Sequence, residues 1–180
     1  MAYISLPDSV PGIGGPMMAY PETGKHLAAL AQQLLRGESS LSPAERELLA
    51  SCVSRANDCT FCTKIHTSTA CHLFPSDQAS MVEEVVMAQN LSGLSEKMQG
   101  LIELALAVQK GGQFVEPSHI ERARAAGADD KAIHDTVLIA AAFCMFNRYV
   151  DSLGTWTPED AEIYNIGGQK LASDGYLTAT

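Results

Sequence analysis

Apolar residues recur along most of the chain at helical spacing, and the segments between them carry helix start and stop signals. No segment shows sustained alternation of apolar and polar residues. The pattern therefore predicts an all-α protein with a single domain. The eight predicted helices run from Lys25 to Arg36, Ser42 to Asn57, Cys59 to Pro75, Ser76 to Gln89, Ser95 to Gly111, Ser118 to Gly127, Asp129 to Leu153 and Thr157 to Gly167.

Two of these helices carry a capping signal at their start. In Ser42-Pro43-Ala44-Glu45, Ser42 suits the N-cap, Pro43 suits the first helical position and Glu45 completes a capping box. Ser118 and Glu121 repeat the same spacing, which predicts a second capping box there.

The chain divides into three parts by composition. Residues 1–23 are rich in proline and glycine with only scattered apolar positions, which predicts an irregular N-terminal arm that wraps over the domain or a neighbouring subunit. Residues 24–168 hold the predicted helical bundle. Residues 169–180 are expected to be a frayed C-terminal tail.

Charge and cysteine content exclude several classes of function. The net charge of the 180 residues is −9, which repels phosphate backbones and anionic lipid, so we expect neither a nucleic-acid nor a membrane partner. The N-terminus lacks a basic region followed by an apolar run, which predicts a cytoplasmic protein. Five cysteines without framework spacing favour a reducing compartment over a disulfide scaffold.

The densest group of reactive side chains lies in the segment Cys59-Thr60-Phe61-Cys62-Thr63-Lys64-Ile65-His66. Around a helix, Cys62 and His66 lie about 40° apart and Cys59 lies within about 60° of Cys62, so two thiols and an imidazole share one face. Because the segment starts a helix, unpaired N–H groups there lower the pKa of a thiol. His66 can then act as a general base toward Cys62.

A carboxylate that orients His66 is predicted on the preceding helix. The short break near residues 57–58 folds the two helices into a hairpin, which places the neighbourhood of Glu47 opposite His66. On a helical wheel, Glu45 lies on the apolar stripe and Glu47 lies nearly opposite it. Wheel geometry alone leaves both residues as candidates.

The pattern Glu47-x11-Cys59-x2-Cys62-x3-His66 resembles the active-site signature of AhpD-like alkylhydroperoxidases, within the carboxymuconolactone decarboxylase superfamily. The chain is most similar to the peroxidase-related branch of these proteins. Further support comes from the stretch 41–47 before the motif and from 146–151 in the long helix. The resemblance covers roughly residues 25–165 and implies an AhpD-like helical bundle.

The resemblance also implies a reaction, the reduction of a hydroperoxide at the expense of thiols. Cys62 would attack the peroxide and Cys59 would resolve the product to a disulfide, while His66 and Glu47 would form a proton relay. Glu47 is thereby favoured over Glu45. Some AhpD proteins carry a second histidine between the cysteines, where this chain has Phe61, so we expect its peroxidase rate or choice of reductant to differ.

The implied partners are a dithiol reductant, either a lipoyl-bearing or a thioredoxin-like protein, and further copies of the chain in a trimer or hexamer. No cofactor is predicted, because the sequence has neither a glycine-rich phosphate loop nor the strand-turn-helix context of a flavin or nicotinamide site.

Two other interpretations use the same residues. The cysteine pair would also suit a general disulfide oxidoreductase without peroxidase activity. Alternatively, Cys59, Cys62 and His66 would bind zinc or stabilise the hairpin in a non-catalytic oligomeric protein. Cys71 lies about 140° from His66 around the helix, which leaves only three zinc ligands. Decarboxylation of a lactone suits the pair less well, because two thiols favour redox chemistry over proton transfer at carbon.

Overall fold

The computed structural model describes residues 2–177, and this part of the chain folds into nine α-helices and two short 3-10 turns, without a β-strand. The all-α prediction is confirmed. No helix in this range has both the length and the apolar character needed to cross a membrane. The helices are α1 Gly14–Ala19, α2 Pro21–Arg36, α3 Pro43–Ala56, α4 Thr60–Leu73, α5 Ala79–Ala88, α6 Glu96–Lys110, α7 Pro117–Ala125, α8 Asp130–Ser152 and α9 Ala161–Asp174, and the 3-10 turns are Ser76–Gln78 and Gly112–Phe114.

Helix α3 lies at the centre of the bundle. It packs against α4, α5, α6, α8 and α2, and ten of its fourteen residues are buried, among them Leu48, Leu49 and Val53. Along most of its length, such a helix has neighbours on every side. For this reason a polar residue opposite the apolar stripe of α3 is still buried.

The capping box at the start of α3 is present as predicted. Ser42 Oγ accepts a hydrogen bond from the Glu45 backbone N–H at 3.2 Å, and Glu45 Oε2 accepts one from the Ser42 N–H at 2.8 Å. The second predicted capping box, of Ser118 with Glu121, is wrong. Pro117 takes the first position of α7, so the N-cap is Glu116 and not Ser118. The backbone N–H of Glu116 donates to His119 Nδ1 at 3.1 Å.

The N-terminal arm is less irregular than its composition suggests. It contains the short helix α1, and α2 already begins at Pro21, since proline is compatible with the first turn of a helix. The rest of the arm follows the connection between α8 and α9 in the same chain. There the N–H groups of Tyr3 and Gly12 donate to the carbonyls of Leu153 and Trp156, both at 2.9 Å.

The predicted end of the last helix at Gly167 is wrong, and so is the frayed segment from Gln169 onward. Helix α9 continues through both glycines to Asp174. A Cβ atom at Gly168 would lie 2.3 Å from Ser68 Oγ, so this glycine permits close packing against α4 instead of ending the helix. Tyr176, beyond the helix, is buried. Residues 178–180 of the predicted tail lie outside the described residues.

The two serines at the predicted caps provide a matched test of this assignment. We expect Ser42→Ala to lower the free energy of unfolding by about 1 kcal/mol, because it removes an N-cap acceptor. Ser118→Ala should change it by less than about half of that, since Ser118 caps no helix and lies on the surface. Urea denaturation of both variants measures the difference, and equal losses would contradict the assignment.

Candidate active site

The turn between α3 and α4 sets the position of the two cysteines. Asp58 adopts a left-handed conformation, with φ of 57°, and the Cys59 N–H then donates to the Ser54 carbonyl at 3.1 Å. Cys59 is the N-cap of α4 and Cys62 lies in its first turn. Both are free thiols, 0% and 2% exposed. The predicted position of the pair at a helix N-terminus is confirmed.

The surroundings make the two thiols unequal. A hydrogen bond from Cys59 lowers the pKa of Cys62, and the positive charge of His66 and a hydrogen bond from Asn147 act in the same direction against the effect of burial. The same hydrogen bond, together with burial, raises the pKa of Cys59. Cys62 is therefore the sulfur that carries negative charge more easily, while Cys59 remains a protonated donor.

Glu47 lies directly behind His66. Its Oε2 atom is 2.7 Å from His66 Nδ1, and its side chain is 0% exposed. Burial alone would raise the pKa of Glu47, but the charge and hydrogen bond of His66, assisted by Arg36 and Tyr176, hold it below the usual value. The carboxylate is thus ionised and accepts the Nδ1 proton. Glu45 instead serves the capping box and lies 3.8 Å from Lys97.

Two residues that the sequence analysis did not single out complete the surroundings of Glu47. Arg36, the last residue of α2, places Nη1 2.7 Å from Glu47 Oε1. The Tyr176 hydroxyl donates to the same oxygen at 2.6 Å. A basic residue at the end of a helix is common, and Tyr176 lies in the predicted tail, so neither carried a signal of its own.

A chain of side-chain amides positions Asn147 on the other side of Cys62. Gln109 donates to Asn57 Oδ1 at 2.9 Å, and Asn57 donates to Asn147 Oδ1 at 2.8 Å. With its oxygen occupied, Asn147 turns its amino group toward Ser54 Oγ, at 3.1 Å, and toward Cys62. These hydrogen bonds therefore fix which way the buried Asn147 amide points, with its NH₂ group toward Ser54 and Cys62. The segment around Asn147 carries part of the family resemblance, but its spacing gave no role to this residue.

A small apolar cavity of about 250 Å³ opens beside the pair, with Cys62 and His66 in its wall. Phe143 and Phe146 of α8 contribute to the lining, as do Ile13 from the arm and Leu171 from α9. A reactive sulfur at the wall of a largely apolar pocket suits a small ligand with a hydrocarbon body.

Phe61, between the two cysteines, packs between the arm and α9. Its ring lies 5.9 Å from that of Tyr164, and a Cβ atom at Gly12 would lie 2.0 Å from Phe61 Cε1. Gly12 has a φ of 57°, which favours glycine for a second reason. At this position the chain thus has a packing contact that holds the arm beside the cavity.

A larger groove of about 720 Å³ follows another face of α4. It is lined by Cys71 and His72 and contains neither sulfur of the pair. Cys71 therefore lies away from His66, as the helical geometry predicts. Among residues 2–177, no group of three or more histidine, cysteine or acidic side chains is arranged to hold a metal ion.

These features define a helical protein whose α3–α4 hairpin carries a buried cysteine pair backed by histidine and glutamate. The sequence model of the carboxymuconolactone decarboxylase family matches residues 21–73 and 79–157, and the chain belongs to this family. A comparison with curated proteins found no match.

Solved structures share the same fold. An uncharacterized peroxidase-related protein from Silicibacter sp. TM1040 is 25% identical with a TM-score of 0.74, over 83% of this chain and 78% of its own. An alkylhydroperoxidase AhpD core protein from Ralstonia eutropha JMP134, also an uncharacterized peroxidase-related protein, is 21% identical with a TM-score of 0.77, over 89% and 82%. A protein of unknown function from Agrobacterium tumefaciens is 21% identical with a TM-score of 0.69, over 81% and 97%. The AhpD-like resemblance is confirmed.

The charge of Glu47 makes a pH-dependent contribution to stability. Its pKa in the folded protein is lower than the ordinary value of 4.5. The ionised form thus stabilises the fold fully above pH 4.5, and this stabilisation is lost as the pH falls through the folded value. We expect Glu47→Gln to lower the free energy of unfolding at neutral pH by on the order of 3 kcal/mol, because it breaks a buried ion pair.

Chemical denaturation over a range of pH measures this difference, which should shrink below pH 4.5. Glu45→Gln is the matched control, since Glu45 lies in the same turn but its ion pair with Lys97 is long and partly exposed. A loss for Glu47→Gln that does not depend on pH, or a larger loss for Glu45→Gln, would contradict the assignment.

Proposed function

We propose that this protein is a thiol-dependent hydroperoxide reductase with Cys62 as the attacking thiolate. The observation that carries the proposal is the buried pair at the start of α4, where Cys62 shares a cavity wall with His66 and Glu47 Oε2 lies 2.7 Å from His66 Nδ1. In this setting the pKa of Cys62 is lowered and that of Cys59 is raised. A peroxide-reducing site needs one reactive thiolate and one nearby thiol that stays protonated until it resolves the product. Two further findings support the same reaction class: the chain belongs to the carboxymuconolactone decarboxylase family, and a similar solved structure is that of a peroxidase-related protein.

In the first step, the Cys62 thiolate attacks the terminal oxygen of the hydroperoxide. The S–O bond forms as the O–O bond breaks, so the sulfur is oxidised to a sulfenic acid and the peroxide is reduced. The alkoxide leaves and takes up a proton to become an alcohol. His66, held by Glu47 through Nδ1, first accepts the Cys62 proton and then returns it to the leaving oxygen.

In the second step, Cys59 attacks the sulfenic sulfur of Cys62. The new S–S bond displaces hydroxide, which leaves as water with the proton that Cys59 gives up. An external dithiol then restores both thiols by exchange through a mixed disulfide.

The cavity favours an organic hydroperoxide and a slender reductant. Its lining is largely apolar, and the pair is almost fully buried. A lipoyl arm is thin enough to enter such an opening, whereas the active site of a thioredoxin-like protein lies on a broad surface. The same burial speaks against a general disulfide oxidoreductase, whose substrate disulfides belong to proteins. A trimer or hexamer stays a prediction, for which exposed Leu138, Met145 and Ile166 offer apolar surface.

Cysteine variants test the roles in this reaction. In fully reduced protein treated with excess cumene hydroperoxide, Cys62→Ser should consume no peroxide beyond background. Cys59→Ser should complete about one turnover and leave Cys62 over-oxidised, since the sulfenic acid lacks its resolving thiol. Peroxide consumption and intact-protein mass spectrometry measure both outcomes.

Cys71→Ser is the matched control, because Cys71 lies on the same helix but outside the cavity; it should behave like the unmodified protein. The assignment of roles would be rejected if Cys62→Ser consumed about one equivalent of peroxide, or if Cys59→Ser consumed none.

A further inference from the structure

The residues that follow α9 turn back toward the site. Gly175 has a φ of 72°, and the Tyr176 N–H donates to Gln32 Oε1 at 2.7 Å. A Cβ atom at Gly175 would lie 2.5 Å from the same oxygen, so glycine permits this close approach. Helix α9 is also tied to α2 by Arg36, which donates to the Leu171 carbonyl at 3.0 Å. The turn places Tyr176 in a defined position.

The Tyr176 ring lies near two groups of the site, His66 and Arg36. It is nearly parallel to the His66 ring, with centroids 6.2 Å apart and an interplanar angle of 16°. The Arg36 guanidinium lies 5.2 Å from its centroid, within the range of a cation–π contact. Tyr176 also forms part of the wall of the cavity beside Cys62.

A count of protons fixes the direction of each hydrogen bond. Glu47 Oε1 faces Arg36 and the Tyr176 hydroxyl, while Oε2 faces His66 Nδ1. Burial and the neighbouring carboxylate raise the pKa of Tyr176 far above its usual value, so the hydroxyl keeps its single proton and donates it to Oε1. Although this hydroxyl lies 3.3 Å from His66 Nδ1, that nitrogen uses its own proton toward Oε2.

We propose that Tyr176 is a positioning residue of the site: its hydroxyl fixes the Glu47 carboxylate so that His66 keeps its proton on Nδ1 and leaves Nε2 for Cys62. The role of Nε2 as proton acceptor rests on the proposed function. The placement of the proton on Nδ1 does not depend on the proposed function, because it follows from the contacts of Glu47 alone.

Without the hydroxyl, Oε1 keeps only Arg36, so Arg36 is the single contact besides His66 itself that holds the carboxylate plane. The carboxylate can then rotate about its terminal bond, and both oxygens compete for Arg36 and His66. His66 would spend part of its time in other orientations, which slows proton transfer from Cys62 without changing the shape of the cavity.

Tyr176→Phe removes the hydroxyl and keeps the ring, and Tyr164→Phe is the matched control. Tyr164 is also buried near the pair, but its hydroxyl donates to the Pro158 carbonyl at 2.8 Å. In single-turnover oxidation by cumene hydroperoxide, we expect Tyr176→Phe to lower the saturating rate about tenfold, equivalent to about 1.4 kcal/mol. The hydroperoxide concentration at half saturation should stay the same, because the cavity wall is retained. Tyr164→Phe should leave both quantities unchanged.

Proton NMR of the imidazole gives a readout that a purely structural role would not move. The His66 Nδ1–H should be visible as a slowly exchanging downfield resonance in the unmodified protein and in Tyr164→Phe, and should broaden or disappear in Tyr176→Phe. The resonance is assigned by its absence from His66→Gln.

The proposal is overturned if the unmodified protein lacks this resonance, or if Tyr176→Phe retains both the resonance and the saturating rate. It is also overturned if Tyr164→Phe matches Tyr176→Phe in both. If the unmodified protein does not react with the hydroperoxide, the proposed function fails, while the resonance still decides the role of Tyr176.

Discussion

The site depends on one buried carboxylate. Glu47 lies inside the bundle, where an unpaired negative charge would be strongly unfavourable, and three separate parts of the chain provide its partners. Arg36 comes from the end of α2, His66 from α4 and Tyr176 from the segment after α9. Because all three partners bind the Glu47 carboxylate, the positions of these three segments depend on one another. The buried carboxylate is thus also the group that aligns the imidazole.

The fixed position of His66 also affects the thiol of Cys62. His66 lies one turn beyond Cys62 on α4, so a fixed ring keeps the positive charge of its protonated form beside this thiol. The Asn147 amide approaches Cys62 from α8, and its orientation is set by a chain of amides that has no contact with Glu47. Two independent networks therefore favour the same thiolate. For Cys59, at the N-cap, neither His66 nor Asn147 lowers the pKa, so Cys59 is the proton donor of the pair.

Several local features were predicted correctly because they depend on residues close together in the sequence, although the cap at Ser118 was not. The hairpin break at residues 57–58 and the cap at Ser42 follow from the residue types there, and the common side of Cys62 and His66 follows from helical periodicity. The helical wheel could not choose between Glu45 and Glu47, since it assumes that the face opposite the apolar stripe is solvated, and at Glu47 that face of α3 is buried. Gly167 suggested a helix end, but α9 continues through it, and Gly167 and Gly168 both pack closely against α4. Because α9 continues to Asp174, Tyr176 lies in the site and not in a frayed tail.

The central claim is that the Cys59–Cys62 pair reacts with peroxide as a unit, with Cys62 first. The most direct measurement is peptide mapping by mass spectrometry after brief exposure of the fully reduced protein to an equimolar amount of cumene hydroperoxide. The account predicts a disulfide between Cys59 and Cys62, with Cys52, Cys71 and Cys144 still reduced. Unmodified Cys62, or oxidation spread over the other cysteines, would contradict it.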